Sequence, residues 1–377
     1  MPDATASGIV VPTLTDGVVT LRAHRDEDIA GVWEQSVDPV SVRWTNVPDP
    51  CSPQDAAEFV HEIIPAGWAE GQWAFAVEAP DRGTPRFAGT VWLKDAGQQR
   101  AEVAYGMHPW ARGRGLTDRA LRLLLEWGFA PSADGGRDLR TVVWWAEVGN
   151  WASRKVAWRL GFSCDGTVRR WLVQRGRRVD AWVGALQHDE GRQPGHAWLD
   201  VPRIVGERVV LREHRAADVG RVLEACNDER TVHWLGQLPQ PYTRATAEAF
   251  VLHRSEGMAR GTDLHWMIAD PASELMLGTV SLMHIAHGMA EVGYWAHPDA
   301  RGRGVMTEAV RLAARHAFIE EADGGLGLHR LTAFAAVDNT ASRHVLEVNG
   351  FVQTGLEHRA VVVRDGLHDS VGHELLR

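Results

Sequence analysis

Arg112-Gly113-Arg114-Gly115-Leu116-Thr117 and Arg301-Gly302-Arg303-Gly304-Val305-Met306 are two stretches whose backbone alone suits them to chemistry. Each follows a short apolar strand and a His-Pro turn, and each opens an amphipathic helix. Main-chain N–H groups converge at such a helix N-terminus, and the partial positive charge there favours an anion, phosphate above all. Glycine lets that anion approach the backbone because no Cβ intervenes. The second stretch lies 189 residues after the first. A dinucleotide fingerprint is missing, since Asp118 and Thr307 stand at its third glycine, and there is no Gly-Lys-Ser/Thr loop. The bland alternative is a plain strand-to-helix turn, and the duplication weighs against it.

The elements around these loops are also written twice. Leu21-Arg22 answers Leu211-Arg212 and Trp44 answers Trp234 at an offset of 190. Gly89-Thr90-Val91 answers Gly278-Thr279-Val280 at 189, as Gly161-Phe162 answers Gly350-Phe351. Asn150 and Ser153 answer Asn339 and Ser342 at the same 189. So long a period is no solenoid repeat; it implies two tandem globular domains. We place them at 1–188 and 201–377, joined by a polar linker at 189–200 that carries Gly and Pro.

Each copy reads as mixed α/β. Strands are predicted at 18–22, 73–78, 88–94 and 101–107, matched by 208–212, 265–269, 277–284 and 290–296. Three strands in a row imply antiparallel pairing. Helices are predicted at 26–35 and 56–64, matched by 217–226 and 245–253. Behind the first glycine loop, Leu116, Ala120, Leu123, Leu124 and Trp127 share one helical face; Val305, Ala309, Leu312, Ala313 and Ala317 do so behind the second. Strands at 141–148 and 331–337 are apolar on both parities, hence buried on both sides. A strand–helix–strand run gives parallel neighbours through a right-handed crossover. The last helices, 152–160 and 341–348, start at Asn150 and Asn339 as N-caps and stop at Gly161 and Gly350.

The chain has 377 residues and a formal net charge of −9, which argues against a nucleic-acid partner. No apolar run is long enough for a membrane span, and no signal peptide is read at the N-terminus, so a cytoplasmic location is expected. Cys51, Cys164 and Cys226 form neither a disulfide nor a metal pattern, and no metal is expected. Of 17 tryptophans, 13 precede residue 195. They serve either as core filling or as the lining of an aromatic acceptor cleft.

Taken together, these motifs make each half resemble a domain of the GNAT superfamily of N-acetyltransferases, in its ribosomal-protein-alanine acetyltransferase branch. The resemblance rests on Arg-x-x-Gly-x-Gly/Ala, from which both copies depart at Thr117 and Met306, where a larger side chain replaces the small residue. It rests further on Glu291-Val-Gly293-Tyr294 and Glu102-Val-Ala104-Tyr105, on Asn-x-x-Ser followed by Gly-Phe, and on a late Asp at 180 and 369. The fold it implies is a mostly antiparallel sheet with one splayed parallel strand pair in each domain.

The resemblance also implies a reaction, in which a neutral primary amine attacks the thioester of acetyl-CoA directly. The pyrophosphate is expected on the amides of Arg112 to Thr117 and of Arg301 to Met306, with Asn150 and Asn339 touching the pantetheine arm. An alkylamine is mostly protonated at pH 7, so a proton must leave, and the oxyanion needs donors. Glu102 and Glu291 are the candidate bases. Backbone N–H groups around 105–108 and 294–297 are the donors, and Ser153 and Ser342 the groups near the departing sulfur. Ala157 and Leu346 occupy the position where many superfamily members carry a tyrosine acid. His108 and His297 are expected to pack beside the phosphate loop. The acceptor is a protein N-terminal amine or a small-molecule amine, and the chain stands as a monomer that is an internal pseudo-dimer. The second copy, nearer the family pattern, is expected to be the surer catalyst. Two other readings are a non-catalytic acyl-CoA-binding or scaffold half, and an acyl-CoA sensor without transfer.

Overall fold

Leu21 and Leu211 are fully buried, and each is followed by an arginine that is buried too. Arg22 donates to both carboxylate oxygens of Asp28 at 2.7 and 2.9 Å, and Arg212 to both of Asp218 at 2.9 and 2.8 Å. A second acidic partner, Glu78 or Glu274, completes each set. Pairing of this kind is what makes a buried guanidinium tolerable. It accounts for the repeated Leu-Arg and ties a three-residue strand of each sheet to the turn that opens the first helix.

The computed structural model describes residues 3–4 and 10–377, which fall into two compact units, Met1–Gly195 and His196–Arg377. In the first, β1 (Asp3–Ala4) and β2 (Val10–Val11) make a short antiparallel ribbon. The main strands are β3 (Leu14–Thr15), β4 (Thr20–Arg22), β5 (Gln72–Asp81), β6 (Thr84–Asp95), β7 (Arg100–Met107), β8 (Thr141–Glu147), β9 (Gly166–Gln174) and β10 (Arg177–Gln187). Their spatial order is β3-β4-β5-β6-β7-β8-β10-β9. The second unit repeats it with β11 (Ile204–Val205), β12 (Val210–Arg212), β13 (Leu264–Ala269), β14 (Met276–Ala286), β15 (Met289–Ala296), β16 (Arg330–Ala336), β17 (Val352–Val363) and β18 (Gly366–Leu376), ordered β11-β12-β13-β14-β15-β16-β18-β17. Among the described residues, the parallel pairs of these sheets are β7–β8 and β15–β16 alone. The architecture is thus mixed α/β and mostly antiparallel, as the sequence pattern predicts.

Helices α1 (Ile29–Ser36), α2 (Pro39–Trp44), α3 (Pro53–Glu58) and α4 (Ile64–Ala69) lie between β4 and β5. Helix α5 (Leu116–Phe129) follows the glycine loop, and α6 (Trp151–Arg159) follows β8. Their counterparts are α7 (Val219–Cys226), α8 (Glu229–Trp234), α9 (Arg244–Arg260), α10 (Val305–Phe318) and α11 (Thr340–Val348). The predicted helix at 26–35 is instead a 3₁₀ turn at Asp26–Asp28 leading into α1. The one predicted at 56–64 runs longer and is broken by a π-helical turn, Phe59–Ile63. Pro65 supplies the reason: it lacks the N–H that an unbroken α-helix needs. The second copy has no proline there and forms the single 17-residue α9.

Leu116, Ala120, Leu124 and Trp127 are buried against the sheet, joined by Leu121 and Leu125, while Leu123 is only partly covered. Most tryptophans of the first unit serve this core. Trp68 and Trp127 pack edge-on with Phe75, Trp73 packs edge-on with Trp127, and Trp144 and Trp182 are fully buried. Among the described residues no helix is long and apolar enough to cross a membrane.

Candidate active site

The two parallel pairs are short. Strand β7 pairs with β8 only from Arg100 to Val103, although β7 continues to Met107. Strand β15 pairs with β16 only from Met289 to Glu291 and continues to Ala296. Beyond those points the strands part and expose backbone on their facing edges. His108 N–H donates to Ala88 C=O at 2.9 Å and His297 N–H to Leu277 C=O at 2.8 Å, so neither serves the gap. Because strand residues alternate sides, the N–H groups of Tyr105, Met107, Tyr294 and Ala296 face it instead.

Each gap leads to a glycine loop. Gly115 and Gly304 precede α5 and α10 with φ of +72° and +71°, a left-handed conformation that glycine adopts without strain. A Cβ at Gly113, Gly115, Gly302 or Gly304 meets nothing within 4 Å, so space lies open beside these amides. Gly89 and Gly278 are required for another reason: a Cβ there would stand 2.3 Å from Gly106 O and 2.4 Å from Trp295 O.

The arginine side chains divide. Arg112 turns back to Asp38, Ser41 and Met107 O, at 2.7, 2.9 and 3.0 Å. Arg301 turns likewise to Asp228 and to Thr231 Oγ1. These guanidiniums brace the loop against α2 and α8, leaving the amides to face outward. Arg114 lies over Trp110, and Arg303 donates to Asp299 O at 3.1 Å. Around the second loop, Arg208, Arg303 and Arg311 line one opening with Gly302, Gly304 and Thr307. Sequence reasoning misses Arg208 and Arg311, which belong to no motif. Glu308, buried at the edge of that opening, accepts the N–H groups of Glu207 and Arg208 at 2.7 and 2.9 Å. In the first unit Arg119 takes that helical position and pairs instead with Asp16, itself an acceptor for Val18 and Val19 N–H.

Asn150 and Asn339 cap α6 and α11, each accepting the N–H of its serine at 3.1 Å. Ser153 Oγ lies 2.8 Å from Tyr105 Oη and accepts Trp144 Nε1–H at 3.0 Å. Ser342 Oγ lies 3.0 Å from Tyr294 Oη. Burial pushes both phenols up to about 12, so they stay protonated and able to donate. The tyrosines sit in the quoted Glu-x-x-Tyr stretches, but only the fold brings each to a serine 48 residues away.

Glu102 and Glu291 stand where the parallel strands separate, and neither carboxylate has a hydrogen bond among the described residues. Burial raises the Glu291 carboxyl above the usual range, countered in part by His284. Opposite Glu291 in the register is Met283; opposite Glu102 is Lys94. His108 and His297 are buried and accept the N–H of residue 110 or 299, capping the turn before each loop. Asp180 and Asp369 accept Arg170 and Arg359 N–H at 2.8 Å, both arginines being left-handed at hairpin irregularities, so these aspartates hold the closing hairpin. Among the described residues no group of three or more His, Cys, Asp or Glu is placed to hold a metal.

A parallel strand pair that opens beside a glycine-capped helix, once in each unit, defines an acyltransferase fold. The family profile described as "Acetyltransferase (GNAT) domain" matches residues 19–163 and again 208–352, and the chain belongs to this family. It is an N-acetyltransferase by class. The probable N-acetyltransferase YjcK of Bacillus subtilis is 31% identical over 138 residues, 36% of this chain and 72% of that protein. The provisionally named ribosomal N-acetyltransferase YdaF of the same organism is 29% identical over 178 residues, 46% of this chain and 93% of that protein. A crystal structure of a probable acetyltransferase is 27% identical with a TM-score of 0.42, covering 47% of this chain and 97% of its own.

Proposed function

We propose that both units bind acetyl-CoA and that the second transfers its acetyl group to a primary amine. The observation that carries this reading is the open ground beside left-handed Gly302 and Gly304, next to the parted end of β15. The amides from Arg301 to Met306 would hold the pyrophosphate, helped by Arg208, Arg303 and Arg311, and those from Arg112 to Thr117 would do so in the first unit. Glu291 takes the proton from the ammonium, directly or through one water. The neutral nitrogen then forms its bond to the acetyl carbon, and the oxyanion is met by the N–H groups of Tyr294 and Ala296. The C–S bond breaks, and a proton passes through Ser342 and Tyr294 to the departing thiolate to give the thiol of free CoA. The extra proton left on the attacking nitrogen is released to water as the neutral amide forms, and water then restores the proton of the hydroxyl pair. Tyr294 stands in for the absent acid at Leu346.

The first unit carries the same set in Glu102, Tyr105 and Ser153, but Lys94 faces its glutamate. That difference favours a first unit, 1–188, that binds the donor and transfers poorly or not at all, with 201–377 as the working transferase and 189–200 as the join. Mass-detected acetylation of an amine panel tests the reading. Ser342→Ala should abolish turnover while Ser153→Ala leaves most of it. Loss from Ser153→Ala alone would reverse the assignment, and no acetylated amine with any acceptor would end it.

A further inference from the structure

We propose that the second unit holds a carboxylate subsite beneath α9, so that its acceptor is an amine with a carboxylate about 5–10 Å from the reacting nitrogen. This rests on the transferase reading of that unit. Arg254 projects from α9 into a narrow cavity that reaches His214, His265, Thr279 and Ser281. Its guanidinium lies 3.0 Å from His265 Nδ1, 3.7 Å from Met283 Sδ and 4.8 Å from the Phe250 ring centre. No carboxylate of the described residues comes within ion-pair distance of it. His265 does not compete as a second cation, because burial and then the Arg254 charge hold its pKa down at about 3. Arg22, Arg112, Arg212 and Arg301 each have an acidic partner. Arg137 of the first unit has none among the described residues and lies instead over the rings of Trp68, Trp73 and Trp127, against the single Phe250 ring beside Arg254. A half-buried cation left without an acidic partner is costly unless an anion arrives. His214 Nε2 lines the same cavity, buried and without a hydrogen-bond partner among the described residues. One cation flanked by neutral donors suits a monoanion.

The cavity belongs to the face on which the chemistry is proposed. Ser281 stands opposite Gly293, and Met283 opposite Glu291, so these side chains share one side of the sheet. The floor is formed by β13 and β14, one to two strand spacings of about 4.8 Å from β15, which sets the expected separation of about 5–10 Å. The fold itself does not demand these residues. In the first unit Ala74 faces Trp92 in the register where His265 faces Ser281. Ile64 precedes Gly71 by the seven residues that separate Arg254 from Gly261. There Phe59 and Trp92 pack edge-on, 6.1 Å between ring centres. His214 and Thr279 keep counterparts there in His24 and Thr90, which lie 3.0 Å apart with His24 edge-on to Phe59, so the same ground is filled, and Arg254, His265 and Ser281 are what the second unit adds.

The test uses the full chain with three probes: 6-aminohexanoate, its neutral amide, and the matching aminoalkylphosphonate. Calorimetric titration and initial acetylation rates are measured for wild type, Arg254→Gln and Arg254→Lys, with melting curves to verify folding. A charge-assisted hydrogen bond of about 1.5–3 kcal/mol predicts that the acid binds roughly 10- to 150-fold more tightly than the amide. Arg254→Gln should collapse that ratio toward one, and Arg254→Lys should keep part of it. Equal binding of acid and amide by wild type, or an acid-to-amide ratio untouched by Arg254→Gln, overturns the proposal. So does a phosphonate that binds more tightly than the acid. Titration needs no turnover. Transfer without acid preference therefore sinks the subsite alone, and acid preference without transfer sinks the transferase reading alone.

Discussion

Replacing Gly304 with alanine separates two consequences of one carbon atom. At φ +71° an L-residue carries a strain of about 1–2 kcal/mol, and no neighbour within 4 Å adds a clash. A unit of this size loses roughly 2–4 °C per kcal/mol, so the second unit should melt roughly 2–8 °C lower. Gly115, at φ +72° and equally open, should lower the first unit by the same amount. Binding behaves differently. On the proposed function the new methyl would stand where a phosphate meets the loop amides, and losing one charge-assisted contact costs about 1.5–3 kcal/mol, or roughly 10- to 150-fold in Kd. Scanning calorimetry measures the first effect, and titration with acetyl-CoA the second. Two binding events are expected for wild type, with one weakened by each substitution. A Gly304→Ala protein that melts lower yet titrates acetyl-CoA as wild type does would show that the anion is held elsewhere.

Tyr294→Phe removes the hydroxyl 3.0 Å from Ser342 Oγ and should lower kcat about tenfold or more, with KM for acetyl-CoA little changed, in steady-state assays. Since burial raises the Glu291 carboxyl, the acidic limb of kcat/KM should have its midpoint above the ordinary value of about 4.3. Glu291→Gln should remove that limb from the pH profile, and a limb that persists unchanged would assign the base elsewhere. His24 and His265 are held down at about 4 and about 3 by burial, so the unfolded chain binds their protons first. Their contribution to stability is complete above about pH 6.5 and is lost as pH falls toward those values. Melting temperature should drop over that window, less steeply in His265→Gln.

The repeat was legible because the same residue patterns recur at one offset. The run of antiparallel strands, the parallel pair and the glycine loops were legible because each depends on residues close together in the chain, whereas the order β8-β10-β9 and β16-β18-β17 was not. What was not legible depends on partners far apart. Nothing near Tyr105 or Tyr294 announces the serine that each reaches. The inward turn of Arg112 and Arg301 needs Asp38 and Asp228, more than 70 residues upstream. The π turn at Phe59–Ile63 did have a local signal, Pro65, whose missing N–H breaks a helix that apolar spacing alone reads as regular. Arg254 reads as one more polar residue of an exposed helix until β13 and β14 are seen beneath it.

The two copies agree and differ in a pattern with a physical meaning. Their loops share φ values to within a few degrees, their serines share the asparagine cap and the tyrosine contact, and their parallel strands part at the same place. All of this surrounds the ground proposed for the donor, and a single donor asks for a single backbone geometry. On the opposite face the residues diverge in kind: Trp92 against Ser281, Lys94 against Met283, Ile64 against Arg254. Drift that merely preserved stability would trade apolar groups for apolar groups. Introducing an arginine without a carboxylate lowers stability unless a ligand repays it, so the second unit's face is better explained by an acceptor than by packing. On this argument the first unit, with that ground filled by Phe59 and Trp92, should not acetylate the second unit's acceptor even with its donor loop intact. A Ser342→Ala chain that still acetylated 6-aminohexanoate at the wild-type rate would contradict it.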